Sequence, residues 1–277
     1  MHKSKALAIS KKIKWLLTRH PMLFYIRFAM ICRNHKGRSE DLPTFNDINK
    51  KDDVAPVYFE INSQIPFEHG MDGFEKTLLM SNWLRHRIKG GRGLGVASDQ
   101  ALRMMLAGEG GICSDYSQML NVFCLVNDIR VREWGTVEKF YNPMHGHNYN
   151  EVYSEKFGKW IAIDFQKNLW FHKANEKTPL SVIELFNYLR QGNDVCYEYF
   201  SDWRCIDMWK IGKTYSKNSI PFLIVNYNNK VYDHYLNKYK RLPPFVVNAM
   251  LILLGKNYNF LFVLDNYKTK LFGSSKK

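Results

Sequence analysis

The stretch EGGICSDYSQML, Glu109–Leu120, places a thiol directly after two glycines and at the point where a helical pattern starts. Tyr116, Leu120 and Phe123 follow Cys113 at helical spacing, which predicts a helix that begins at or just before the cysteine. Unpaired N–H groups at a helix start lower the pKa of a thiol and can stabilise an oxyanion. Cysteine is also a common core residue, so position alone leaves both a catalytic and a structural role open.

A nucleophilic cysteine needs a base, and the base needs a group that orients it. HNYNEVYS at 147–154 and GKWIAIDF at 158–165 are predicted to form two strands of a hairpin. With a turn over 154–157, the residue numbers of cross-strand partners add up to 311, so His147 is predicted to lie opposite Asp164. Directly opposed side chains share a face of the sheet. The pattern therefore predicts a triad in which Cys113 is the nucleophile, His147 the base and Asp164 the orienting acid.

With these three residues and their neighbours, the sequence resembles the transglutaminase-like superfamily, in particular its bacterial-type transglutaminase-like domain proteins. The family shows a Gly-x-Cys at a helix start, then a His followed by Glu-Val, then Trp-x-x-x-Asp on the next strand. Cys113 matches the nucleophile, His147 with Glu151 and Val152 matches the base, and Asp164 after Trp160 matches the acid. The chain departs from the family at Tyr149, where Trp is common, and at Phe165, where Pro is common. The resemblance covers about residues 74–190 and implies papain-like cysteine catalysis.

Other residues compete for these roles. His145 lies two residues before His147, but the Glu-Val spacing favours His147 as the base. Cys124 falls on the predicted core face of the same helix as Cys113. Cys32, Cys196 and Cys205 have no readable His or Asp arrangement nearby, and neither Gln100 nor Gln118 has the spacing of an oxyanion donor. The residue that completes an oxyanion hole stays open.

The predicted fold class is α+β, with the nucleophile helix packed on an antiparallel sheet, and the resemblance makes it a papain-like, transglutaminase-like core with extra segments at both ends. Residues 1–45 are predicted to form a basic, partly amphipathic helical segment, 46–207 the catalytic domain, and 208–277 a basic C-terminal extension of unknown role. The net charge of +14 belongs to the ends, because residues 1–40 carry +9 and residues 208–277 carry +10. Basic ends suit an anionic membrane surface, an anionic substrate or nucleic acid, or serve solubility alone.

Composition narrows the class of protein further. Five cysteines without C-x-x-C spacing argue against a disulfide framework and a zinc site. No signal peptide is evident, and the longest apolar run, at 245–254, is too short to span a bilayer. We expect a cytoplasmic protein, with the inner membrane face as an option for its basic ends. No helix-turn-helix or zinc pattern favours nucleic acid. The oligomeric state stays open.

The predicted function is cysteine-dependent acyl chemistry through a thioester, either amide hydrolysis or amide-forming transfer. The expected substrate is a peptide, an amide or a glycoconjugate, and no cofactor is expected. The absence of an EF-hand pattern predicts no calcium site. Two alternatives stay open: a protein that modifies an envelope polysaccharide or glycoconjugate at the inner membrane face, and a non-catalytic binding module on the same fold.

Overall fold

The computed structural model describes residues 21–138, 146–200 and 208–272. The α-helices within these ranges are α1 Pro21–Ile31, α2 Pro56–Asn62, α3 Gly73–Arg85, α4 Ser98–Leu106, α5 Cys113–Val126, α6 Val182–Arg190, α7 Met208–Thr214, α8 Asn229–Lys238, α9 Pro244–Leu253 and α10 Tyr267–Phe272. The strands are β1 Cys32–Asn34, β2 Val131–Val137, β3 His147–Ser154, β4 Lys159–Asp164, β5 Leu169–Lys173, β6 Glu176–Pro179, β7 Val195–Tyr199, β8 Ile220–Val225 and β9 Asn259–Phe262. Three 3₁₀ helices precede α2, at Ser39–Asp41, Phe45–Asp47 and Lys51–Asp53.

All the described strands belong to one sheet, in the order β1-β9-β8-β2-β3-β4-β5-β6, with β7 paired to the other side of β5. β1 and β9 run parallel, and every other pair is antiparallel. The predicted α+β class with a mostly antiparallel sheet is therefore confirmed. The sheet also takes strands from all three predicted segments, since β1 lies within 1–45 and β8 and β9 lie within 208–277.

The start of α5 coincides with the thiol. Ile112 is the N-cap and Cys113 the first helical residue, while the Asp115 carboxylate accepts the backbone N–H of Ile112 at 2.9 Å. An acid in the first turn also complements the helix dipole. Gly111 reaches a φ of +117°, and a Cβ there would come within 2.9 Å of the Met105 side chain. The glycine therefore allows the sharp turn that brings the chain into the helix.

The β3–β4 hairpin differs in register from the prediction. Its observed pairs include Asn150 with Ile163 and Ser154 with Lys159, so partners sum to 313 and Tyr149, not His147, lies opposite Asp164. The turn occupies 155–158 because Gly158, at φ +62°, belongs to the turn and not to the strand. A shift of the pairing by two residues preserves side-chain parity, so His147 and Asp164 still share a face.

The two faces of the sheet carry separate cores. α5 covers one face, where Val131, Val152, Ile161 and Ile163 pack into its cluster. α6 covers the other face, where the alternate strand residues pack with helix and loop side chains; this cluster includes Trp134, Tyr149, Ala162, Val182, Phe186 and Tyr215. The period of two in each strand thus separates the core beneath α5 from the core that surrounds His147 and Asp164.

Glu151 ties β3 to its neighbours on the α6 face. It is fully buried, pairs with the buried Arg132 at 3.5 Å, and accepts N–H groups from Trp134 and from Val182 at the start of α6. A buried carboxylate requires such partners. The Glu of the Glu-Val motif therefore has a structural role here.

No described helix is long and apolar enough to cross a bilayer. The first 20 residues of the basic, partly amphipathic segment predicted at 1–45, and the rival base His145, lie outside the described residues. The predicted contact with an anionic membrane therefore stays a prediction, as does the assignment of a cytoplasmic location.

Candidate active site

Cys113 lies half-buried at the first turn of α5, and its thiol makes a hydrogen bond with the imidazole of His147. Burial alone raises the pKa of this thiol. The hydrogen bond and charge of His147, together with the backbone N–H of Asn148, outweigh burial and lower the pKa below its ordinary value. A lowered pKa increases the thiolate fraction, and the thiolate is the nucleophilic form. The local environment therefore favours nucleophilic chemistry at Cys113.

His147 and Asp164 form a buried pair. His147 Nε2 lies 2.7 Å from Asp164 Oδ2, and the two residues are 7% and 0% exposed. Burial lowers the pKa of the imidazole, but the adjacent Asp164 carboxylate more than compensates and the pKa of His147 lies above its ordinary value. Because Nε2 is occupied by Asp164, Nδ1 is the ring nitrogen left for the thiol. This arrangement fixes the tautomer and orientation that a base needs.

Four contacts converge on the Asp164 carboxylate. Its Oδ2 accepts hydrogen bonds from His147 and from the Tyr215 hydroxyl, both at 2.7 Å, and Oδ1 accepts the backbone N–H of Lys167 at 2.9 Å. The Lys167 ammonium lies 3.3 Å from Oδ2. Burial raises the pKa of Asp164, but the charges of His147 and Lys167 and these hydrogen bonds hold it well below its usual range. Asp164 is therefore ionised at neutral pH.

Two of these residues, Lys167 and Tyr215, were not predicted from the sequence. Lys167 is 7% exposed, and burial lowers the pKa of its ammonium. It stands three residues after Asp164, so a turn that brings the chain back to the acid could have been suspected. Tyr215 is 51 residues from Asp164 and lies in the segment assigned to an extension of unknown role. No local pattern could have found it.

Tyr215 and Tyr149 provide a matched pair of hydroxyls. Their rings lie 5.3 Å apart in one buried cluster, but only Tyr215 donates to Asp164, whereas the Tyr149 hydroxyl has no hydrogen-bond partner among the described residues. We expect Tyr215→Phe to reduce the free energy of unfolding by about 1.5–3 kcal/mol, the size of a hydrogen bond to a charged group. Urea unfolding measures this quantity.

Tyr149→Phe is the control for that experiment, because it removes an equally buried hydroxyl that donates to nothing described. We expect no loss of stability from it, and a small gain is consistent with the cost of burying an unpaired hydroxyl. Equal losses in the two variants would show that the Tyr215 hydroxyl contributes nothing through Asp164.

Two of the competing thiols, Cys32 and Cys124, have environments that suppress reactivity. Cys32 and Cys124 are fully buried, and burial raises the pKa of each to about 12. Cys196 is half-buried on β7, and Cys205 lies outside the described residues.

Among the candidate oxyanion donors, Gln100 is exposed, and the Gln118 amide nitrogen faces the Glu133 carboxylate. No cluster of three or more potential metal ligands occurs within 21–138, 146–200 and 208–272.

A cavity of about 330 Å³ lies on the α5 side of the sheet, and its lining includes the residues that follow Cys113 and His147 in the chain but not those two residues themselves. Ser114, which follows Cys113 in α5, and Asn148, which follows His147 in β3, both line it. Glu133 on β2 lies at its wall, where the side-chain amides of Asn121 and Asn148 each donate to it at 2.9 Å. A space large enough for a side chain or a small molecule therefore lies one residue along the chain from Cys113 and from His147.

No family model, curated protein or solved structure was found to match this chain.

Proposed function

We propose that this protein is an enzyme that carries out acyl chemistry through a thioester on Cys113, with His147 as the proton carrier and Asp164 as the orienting acid. The observation that carries the proposal is the chain of contacts from the thiol to His147 and from His147 to Asp164 at 2.7 Å. A core cysteine needs no such chain. The environment also moves the pKa of each member in the direction that catalysis requires.

The proposed first step transfers the acyl group to sulfur. The Cys113 thiolate attacks the carbonyl carbon of an amide or ester and forms the C–S bond, while the carbonyl oxygen takes up the negative charge. Unpaired N–H groups in the first turn of α5 are available to stabilise that oxyanion. The leaving group takes the proton of His147 as its bond to carbon breaks.

The proposed second step releases the acyl group. Water or an amine attacks the thioester carbon, gives its proton to His147, and the Cys113 thiolate leaves. Water makes the reaction a hydrolysis, and an amine makes it an amide-forming transfer. Asp164 stays ionised throughout and stabilises the imidazolium.

We further propose that the core belongs with the transglutaminase-like and papain-like proteins. Three observations support this: the helix-start cysteine, the order Cys113–His147–Asp164 along the chain, and the packing of α5 on an antiparallel sheet. The same resemblance supports a peptide, amide or glycoconjugate as substrate.

Trapping of the acyl-enzyme tests the proposal. Native protein is incubated with p-nitrophenyl acetate at neutral pH, quenched in acid, digested and examined by mass spectrometry. We expect one acetyl group on the peptide that contains Cys113, and we expect hydroxylamine to remove it because thioesters are labile to that nucleophile. Cys113→Ala should abolish the adduct.

Cys196→Ala is the matched control, because it removes another half-buried thiol that lies on β7, away from the triad. This variant should acetylate at Cys113 as the native protein does. An absence of acetyl transfer to Cys113 in folded native protein would contradict the enzymatic proposal and favour the non-catalytic binding module.

A further inference from the structure

The cavity on the α5 side of the sheet has an unusual lining for a protein with a large positive net charge. Its described walls contain two carboxylates, Asp115 and Glu133, and no lysine or arginine, although the chain carries a net charge of +14. Aromatic rings supply much of the remaining wall; they are Tyr58, Phe222, Tyr227, Tyr232, Tyr258 and Phe260. Acids and aromatic faces together form a lining that attracts cations and disfavours anions.

Glu133 is the centre of this lining. It is 3% exposed, and its described hydrogen-bond partners are the neutral amides of Gln118, Asn121 and Asn148. Burial raises the pKa of Glu133 to about 7, against the lowering effect of the amides. A buried carboxylate without a counter-cation is costly. The three amides keep the Glu133 carboxylate as a hydrogen-bond acceptor at the cavity wall. Such an arrangement is expected where a bound cation supplies the counter-charge.

Gln118 provides an independent observation. Its amide nitrogen faces Glu133, which leaves Oε1 buried at the cavity wall without a hydrogen-bond partner among the described residues. A buried acceptor without a donor is rare in folded proteins and calls for a missing partner. The partner must carry an N–H or O–H group, and a positive charge beside Glu133 requires that group to be N–H.

The aromatic wall fits the same ligand. Tyr227 and Tyr232 stack with centroids 4.3 Å apart, Tyr258 stacks on Tyr227 at 6.2 Å, and all three residues line the cavity. A cation held against aromatic faces gains about 0.5–2 kcal/mol, more when water is excluded. The same surface accommodates the apolar part of an organic ammonium.

We propose that this cavity is a substrate subsite that binds a primary ammonium group, held by Glu133 and Gln118 and packed against the tyrosine rings. The ammonium stays protonated and serves for recognition, so it is not the group that attacks the thioester. The place of this subsite in the reaction rests on the proposed function and on chain adjacency, since Ser114 and Asn148, which line the cavity, directly follow Cys113 and His147. The preferred substrate is therefore an acyl compound that also carries a primary ammonium group.

Isothermal titration calorimetry of the full-length protein at pH 8 tests the subsite with two probes of equal shape, phenethylamine and 2-phenylethanol. Phenethylamine carries the ammonium, and the alcohol does not. We expect the native protein to bind the amine tighter by about tenfold or more, because only the amine pairs with a buried carboxylate. Glu133→Gln should lower the affinity for the amine to that of the alcohol and leave the alcohol unchanged.

Glu138→Gln is the matched control, because Glu138 follows the same strand but is exposed and outside the cavity. It changes the net charge equally and should keep the preference for the amine. Ile224→Lys is a second variant, since Ile224 pairs with Glu133 across β2 and β8 and a lysine there places an internal ammonium beside the carboxylate. It should also abolish the preference, which keeps the test decisive if Glu133→Gln does not fold.

Equal affinities for the two probes in native protein, or no binding of either, would overturn the subsite. A preference for the amine that persists in Glu133→Gln would also overturn the subsite. If Glu133→Gln does not fold, a preference that persists in Ile224→Lys would overturn it. Acetylation of Cys113 by p-nitrophenyl acetate is measured on the same preparations. A protein that acetylates Cys113 but shows no preference for the amine loses the subsite and keeps the proposed function.

Discussion

Replacement of His147 by alanine is expected to slow alkylation of Cys113 by iodoacetamide at pH 7 by about tenfold or more. In the native protein Cys113 is expected to be the first cysteine to react, and Cys113→Ala should remove that fast phase entirely. Peptide mapping by mass spectrometry after timed quenching gives a rate for each cysteine.

The reason lies in the balance that sets the thiol pKa. Burial is the largest single effect on Cys113 and raises its pKa, and His147 is the main group that reverses it. An ordinary thiol is only about 3% ionised at pH 7, and a buried one without His147 is ionised less. A more basic thiolate is also a better nucleophile, which offsets part of the lost thiolate fraction. The net loss remains large.

The pH dependence follows from the same direction of shift. A lowered thiol pKa keeps the thiolate present as the pH falls, so the native rate should decline only in acid. In His147→Ala the raised pKa should make the rate climb steadily from about pH 6 to pH 9, because the thiolate fraction grows tenfold per pH unit below the pKa. A native rate that climbs in the same way would contradict the assignment of His147.

His172→Ala is the control, since His172 on β5 is as buried as His147, at 6% exposure, and pairs with Glu198 instead of the thiol. Its alkylation rate at Cys113 should stay within about twofold of native, because the thiolate fraction is unchanged. Equal labelling of all five cysteines in folded native protein would refute the nucleophile assignment.

Replacement of Glu151 by glutamine is expected to lower the free energy of unfolding by about 3 kcal/mol, because it leaves the buried charge of Arg132 without its anionic partner. Burial raises the pKa of Glu151 and lowers that of Arg132, so the intact pair itself contributes little net stability. The large effect comes from removing only one member. Urea unfolding with an unchanged m-value is the measurement.

Two comparisons sharpen this prediction. Asp53→Asn breaks an exposed ion pair in which Lys230 Nζ lies 2.7 Å from Asp53 Oδ1. This change should lower the free energy of unfolding by less than about 1 kcal/mol. Adding Arg132→Met to Glu151→Gln should recover part of the loss, since no buried charge then remains. A Glu151→Gln protein as stable as Asp53→Asn would show that the backbone carbonyl of Leu42 and the Trp160 ring are sufficient partners for Arg132.

Local pattern was sufficient to predict the elements of the site. Two glycines and Asp115 define the start of α5 within one turn, so the sequence places Cys113 at the first helical residue without any knowledge of the fold. Alternation in β3 and β4 likewise places His147 and Asp164 on one face. That result survives the error in register, because a slip of two residues leaves every side chain on its own face.

Only the tertiary structure decided which groups surround the triad. The register depends on one residue, Gly158, whose left-handed conformation extends the turn and could not be read from the alternation. Tyr215 reaches Asp164 from a segment without clear periodicity, and β8 closes the cavity that contains Glu133. Short-range patterns record the conformation of neighbours in the chain. Contacts between distant segments depend on how the whole sheet assembles, and no local spacing encodes them.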